Sequence, residues 1–207
     1  MSFYPELDTL KLNDLVTRFR EKPLDGQEYS VAYYSEVASR IKQNGGDEFL
    51  EAELKRVADD EARLRAVISA LTLKPILPTA GLQMHLLSYL QDKREFIVME
   101  AIDGLWAINA KEVVDQVLTL RVHVSPYVRG AVLRYVRRLH PDRALSMLIE
   151  VTKDSHPIVR AVAADELGEL GNSEALACVE LLLVDENENV RQAAKTALES
   201  LRPLSNS

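Results

Sequence analysis

The residues able to do chemistry are few: four histidines, one cysteine, and an aspartate and an arginine that recur at a fixed spacing. His85, His123, His140 and His156 are followed by Leu86, Val124, Pro141 and Pro157, so none of them opens a His-Glu pair. A zinc hydrolase helix needs His-Glu-x-x-His, which sets two imidazoles one turn apart, and that run is missing. Cys178 stands alone, which excludes an intramolecular disulfide and a multi-cysteine zinc cluster and suits a reducing, cytoplasmic setting. It has no basic sequence neighbour to lower its pKa, and a lone cysteine on a largely apolar helix reads as packed and inert. Gly45-Gly46 reads as a helix break rather than a loop that cradles phosphate. The expectation is no catalytic residue, no metal and no cofactor.

The recurring pair is more informative. Asp154-Ser-His-Pro-Ile-Val-Arg160 and Asp185-Glu-Asn-Glu-Asn-Val-Arg191 are offset by 31 residues, and an alanine-rich segment follows each. Ala161–Leu167 with Leu170 aligns with Gln192–Leu198 with Leu201. One step back lies His123-Val-Ser-Pro-Tyr-Val-Arg129, then Asp92-Lys-Arg-Glu-Phe-Ile-Val98, and a fifth copy, Asp59-Asp-Glu-Ala-Arg-Leu-Arg65, is offset by 33. Apolar residues at i, i+3, i+4 and i+7 predict second helices between the copies, near Asp47–Ala58, Ala80–Gln91, Lys111–Arg121, Asp142–Lys153 and Ser173–Val184. Pro126, Pro141 and Pro157 sit where helices begin, with Ser125 and Asp142 placed to serve the first turns. Sustained period-2 alternation and two-residue hairpin turns are missing, which argues against strands.

These features predict an all-α chain in which each helical pair has one apolar face too many to hide alone, so that neighbouring pairs must stack. The expected organisation is a cap over 1–26 with a helix near Thr9–Arg20, then a solenoid over 27–202. It opens with a degenerate helix at Tyr29–Gln43, and its last units are 92–122, 123–153, 154–184 and 185–202. Pro203 is expected to stop the final helix and 203–207 to be a disordered tail.

The pattern of Asp, four residues, Val-Arg, then Ala and Leu at helical spacing resembles HEAT repeats, and the 31-residue period is similar to the short type named after phycobilisome (bilin) lyases. The resemblance covers about Asp59 to Leu201, with a weaker extension to about Gln27. It implies an α-α superhelix, a right-handed solenoid of stacked two-helix HEAT-like repeats. It also implies that Asp59, Asp92, Asp154 and Asp185, with Arg65, Arg129, Arg160 and Arg191, form a hydrogen-bonded ladder between adjacent turns. If pairing runs from one repeat's Asp to the next repeat's Arg, Asp92 meets Arg129 and Asp154 meets Arg191. Arg160 then faces His123 and must find another acceptor. Deoxyhypusine hydroxylase, which carries iron on His-Glu pairs in the same kind of repeats, is excluded by the missing pairs.

Two surfaces could carry function. On a 100° wheel, Leu176, Val179, Leu182 and Leu183 face the core, while Glu174, Cys178 and Leu181 point away. Steps of 31 add Arg143, Met147 and Glu150, then Glu112, Gln116 and Thr119, and finally His85 and Ser88. This stripe would line a concave face, unless Met147 and Cys178 merely finish the core. The second surface lies in a basic stretch: Arg121 to Arg143 holds six arginines against Asp142, whereas 161–200 holds nine acids against Arg191 and Lys195. On the helix from Pro126 to Leu139, Tyr127, Arg134 and Arg138 share the face opposite Val128, Val132, Val136 and Leu139, and Arg137 flanks them. A tyrosine among guanidiniums suits a protein hot spot or a carboxylated ligand, and an ordinary solvated helix face is the simpler alternative.

At 207 residues, 47% apolar and 28% charged, the chain has the balance of an ordinary soluble protein. A formal charge of −7 argues against general affinity for phosphate backbones and makes nucleic acid an unlikely partner. No stretch reads as a membrane span or signal peptide. The reading is a non-catalytic protein-binding adaptor or chaperone-like scaffold. The alternative, which only the resemblance implies, is a bilin lyase or lyase subunit acting on a phycobiliprotein, with the two propionates of a bilin on Arg134, Arg137 or Arg138.

Overall fold

Pro126, Pro141 and Pro157 each occupy the first turn of a helix, where the missing N–H has no intrahelical partner to lose and φ is already helical. A computed structural model describes residues 4–21, 30–77 and 79–201, and all their regular structure is helical. The expected starts near Gln27 and Tyr29, the stop at Pro203 and the tail 203–207 lie outside the described residues. The chain divides into two compact units, one up to Ile108 and one from Asn109.

In the first unit a 3-10 turn, Pro5–Leu7, precedes α1 (Leu12–Arg20), α2 (Ser30–Gln43), α3 (Asp47–Arg56), α4 (Glu61–Leu71), α5 (Ala80–Tyr89) and α6 (Glu95–Ala107). Helices α2, α4 and α6 pack in sequence, while α3 lies on α4 and α5 on α6. Phe19, Leu50, Leu64, Ile68, Leu86 and Ile97 are fully buried between them. Each such side chain contributes about 1.5–3 kcal/mol on leaving water.

The second unit holds α7 (Val114–Leu118), α8 (Pro126–Leu139), α9 (Pro141–Val151), α10 (Pro157–Leu170), α11 (Leu176–Leu181) and α12 (Glu188–Leu201). Here α10 packs against both α8 and α12, α9 lies against α8 and α10, and α11 lies against α12. Gly171 ends α10 in the left-handed region at φ 70°, donating its N–H to the Leu167 carbonyl at 3.2 Å, a conformation that glycine adopts without steric cost. One interface position recurs in two forms. Arg137 on α8 pairs with Glu166 on α10, and the positions 31 residues on are Gly168 on α10 and Ala197 on α12. A Cβ built on Gly168 falls 2.8 Å from the Ala197 Cα, so α12 approaches α10 too closely there for any side chain.

Several expectations need correction. The second helices predicted at Lys111–Arg121 and Ser173–Val184 are not continuous α-helix. Each is a short α segment between 3-10 turns, Lys111–Val113 and Thr119–Val122 around α7, and Ser173–Ala175 and Leu182–Val184 around α11. Tight 3-10 closure satisfies end groups that a helix this short cannot pair internally, and apolar spacing does not report it. The N-terminal helix begins at Leu12 rather than Thr9. Ser125 does not cap α8. Its hydroxyl is buried with no hydrogen-bond partner among the described residues, and its N–H donates to His123 Nδ1 at 3.0 Å.

Candidate binding surface

The aspartate–arginine motif joins neighbouring repeats in the direction opposite to the one considered from sequence. Arg129 donates through Nε and Nη2 to both carboxylate oxygens of Asp154, at 3.1 and 2.8 Å, and through Nη1 to the carbonyls of His123 and Val124, at 2.8 and 3.2 Å. Arg160 repeats the arrangement one unit on, meeting Asp185 at 2.8 and 2.9 Å and the carbonyls of Asp154 and Ser155 at 3.0 and 3.2 Å. Each arginine therefore clips its own turn and reaches forward to the next repeat's aspartate. Arg160 does not face His123 unpartnered, and Asp154 meets Arg129 rather than Arg191. Arg191 keeps the local clip, to the carbonyls of Asp185 and Glu186 at 2.8 and 3.0 Å, and pairs with Glu188.

Burial would push the Asp154 carboxyl up, but the Arg129 guanidinium and the His156 N–H together hold it below the ordinary carboxylate range. The Arg160 hydrogen bonds hold the Asp185 carboxyl down likewise, against a smaller opposing effect of burial.

In the first unit the expected ladder is not followed. Asp59 is exposed, and Asp60 caps α4 by accepting from the Arg63 N–H at 3.0 Å. Arg63, which the sequence reading passed over, donates to the carbonyls of Phe19, Arg20 and Glu21 at 2.9, 3.1 and 2.9 Å. It also lies 4.5 Å above the Tyr34 ring. Arg65 pairs with Glu100 at 3.4 Å and covers Phe96, while Asp92 is held by Arg94 within its own turn at 2.7 Å. Arg63 and Arg94 stand 31 residues apart, but neither occupies the arginine position of the motif, and Asp60 lies one residue beyond its aspartate position.

The predicted stripe falls in both units. His85 belongs to the first, half-buried and stacked on Tyr89 with ring centroids 6.3 Å apart. In the second unit Gln116, Thr119, Glu150 and Leu181 are exposed, and Met147 and Cys178 are half-buried, while Val179 and Leu182 are buried as the wheel requires. Leu176 and Leu183, also expected in the core, are half-buried. The Cys178 thiol donates to the Ala175 carbonyl at 3.0 Å, and burial pushes its pKa up. Reaction of native protein with a disulfide reagent at pH 7.5 is expected to run roughly tenfold slower than that of a small free thiol and to speed up as pH rises. Urea should abolish the difference; an equal rate in the native protein would place the sulfur in open solvent.

On α8, Tyr127 is 40% exposed, Arg138 is exposed and Arg134 is half-buried, passing over Gly130. Arg137 is not available to a ligand. It is committed to Glu166, whose side chain is itself 8% exposed. Of the guanidiniums that the lyase resemblance offers to a bilin's propionates, one is thus already occupied.

An open groove of about 540 Å³ brings part of the stripe together with residues that were not singled out as a site. Arg121 and Val122 from the turn after α7, Arg143 and Met147 from α9, and Lys153 line it, with Glu150 and the Arg129–Asp154 pair. The 31-residue step had placed Arg143 in the stripe, but nothing in the sequence sets Arg121 and Lys153 beside it. Three-dimensional stacking of α7, α8 and α9 decides it.

The family model of HEAT repeats matches residues 115–199. Over that segment the chain is similar to HEAT repeats. Two engineered proteins with solved crystal structures are similar to it as a whole. One has a TM-score of 0.60 at 18% identity, covering 93% of this chain and 99% of that one, and the other has 0.59 at 17%, covering 92% and 96%. A designed armadillo repeat protein in complex with the peptide (KR)4 has a TM-score of 0.51 at 18% identity, covering 93% and 100%. These likenesses show the fold, an all-α solenoid of stacked helical repeats. No curated protein matches. Among the described residues no helix is long and apolar enough to cross a membrane, and no cluster of three metal-ligating side chains occurs.

Proposed function

We propose that this HEAT-like repeat protein is a non-catalytic scaffold that binds a protein partner along the second helices of its 109–207 unit. The observation that carries the reading is a double row of exposed residues in equal register. Thr119, Glu150 and Leu181 form one row, and Val122, Lys153 and Val184 form the other. Leu181 is 70% exposed, Val122 78% and Val184 85%. Aliphatic surface displayed at repeated positions gains about 25 cal/mol per Å² when a partner removes it from water. The HEAT-repeat match supports the reading, because stacked helical pairs present one continuous face to a partner. The designed armadillo repeat protein of similar fold is seen with a peptide bound.

A photoactivatable benzoyl-phenylalanine introduced in place of Glu150 or Leu181 is expected to capture a discrete protein from native lysate. The same probe in place of Glu199, exposed on α12, is expected to capture none. Equal adducts from Glu199, or none from either row, would remove the scaffold reading.

A further inference from the structure

We propose that the groove lined by Arg121, Arg143 and Lys153 takes an acidic polypeptide segment that also carries aliphatic side chains. The inference rests on the scaffold reading and names the chemistry of the partner. Four cations and two carboxylates line the groove, and one of each, Arg129 and Asp154, is already spent on a two-fold hydrogen-bonded pair. What remains is Arg121, Arg143 and Lys153 against Glu150. Arg121 and Lys153 are exposed and make no side-chain hydrogen bond or ion pair with any described residue. Arg143 reaches only Asp115, at 3.9 Å, with the two side chains 53% and 95% exposed, a distance and exposure at which the pairing is weak.

This cationic spot sits on a chain whose formal charge is −7, so it is a local reversal and not part of a general basic surface. A planar guanidinium matches a carboxylate with two parallel hydrogen bonds, and two of the three cations are arginines. Between the charges lie Val122, 78% exposed, and half-buried Met147, which a strand of carboxylates alone would leave in water. A segment alternating acids with leucine-like residues satisfies both parts. Nucleic acid satisfies one: its phosphates would meet three cations but be repelled by the rest of the chain, and its affinity rests on many such contacts.

The test is fluorescence anisotropy of the full chain with a labelled twelve-residue peptide built from Glu-Leu-Asp-Gly. Three comparison probes accompany it: the same peptide with lysine for each acid, the same peptide with serine for leucine, and a twelve-nucleotide thymidine strand. The acidic, leucine-bearing peptide is expected to bind best and to weaken as salt rises. Replacing Arg121 and Arg143 together by serine should weaken it by roughly tenfold or more, while Lys195→Ser, an equal exposed charge on α12, leaves it unchanged. Both arginines are exposed, and an unchanged thermal transition of the double variant would show that the fold survives.

Binding of the lysine or serine peptide as tight as that of the parent would overturn the inference, as would an unaltered affinity in the double variant. Tighter binding of the thymidine strand would assign the groove to nucleic acid instead. Absence of saturable binding to every probe would refute the groove's assignment while leaving the scaffold reading to the cross-linking result.

Discussion

Arg160→Ala is expected to lower the unfolding free energy by about 3 kcal/mol, read by urea denaturation of the full chain. Arg191→Ala should cost only about 1 kcal/mol. The two arginines occupy equivalent positions and make the same local clip to two carbonyls, so the difference isolates the forward pair. Arg160 and Asp185 are 11% and 9% exposed, and deleting the guanidinium leaves a carboxylate buried without its partner. Arg191 pairs instead with Glu188, 72% exposed, which water serves when the partner is removed. Adding Asp185→Asn to Arg160→Ala should recover part of the loss, because the unpaired charge is then gone. Equal losses in the two single variants would show that the forward pair contributes nothing.

The same pair sets a pH dependence. Asp154 and Asp185 have folded-state pKa values held below those of the unfolded chain. Their contribution is present in full above the unfolded value of about 4 and is lost as pH falls through the folded values. Arg160→Ala should therefore flatten the decline of stability below about pH 4 relative to the parent protein, as followed by thermal melts in that range.

Gly168→Val is expected to cost about 3 kcal/mol, with the loss falling on the packing of α10 against α12. A Cβ at this position meets the Ala197 backbone at 2.8 Å and its Cβ at 3.0 Å, so the helices themselves must separate. Ala197→Gly should not rescue the variant, since the nearest obstacle is a Cα. Gly130→Ala on α8 is the contrast. Its new methyl finds Val162 at 3.4 Å, ordinary contact, and the exchange should stabilise by about 0.5–1 kcal/mol through helix propensity. Thermal melts of the two variants should move in opposite directions, and a Gly168→Val protein that melts with the parent would mean that α12 is not held at this distance.

The repeat was legible because Asp and Val-Arg recur in register with helical Ala and Leu, and a repeat imposes the same environment on the same residue types. The direction of the ladder was not. A motif arginine has an aspartate in the repeat before and another in the repeat after, and only the tilt of the stack puts the one 25 residues ahead within reach. Val98 and His123 are the two departures from the motif, at the arginine position of one copy and the aspartate position of the next. The 3-10 ends around α7 and α11 were hidden because three residues carry too little periodicity to tell 3.0 from 3.6 per turn. The basic cluster on α8 looked available in sequence, yet Arg137 had a claimant 29 residues away in Glu166. The groove depended on which turns stack, and no local pattern carries that.

The paired positions at Arg137–Glu166 and Gly168–Ala197 bear on how such an array can be rearranged. Rungs alone would let the unit 154–184 be transposed beside any unit with the matching motif residue, since it offers Arg160 forward and accepts Arg129 at Asp154. The junctions forbid it: shuffled order would set a long guanidinium against a surface shaped for a bare α-carbon, or strand Glu166 opposite a glycine. Each seam thus works as an address label, and recombination between units of this array is expected to yield folded chains only where both halves of a seam travel together.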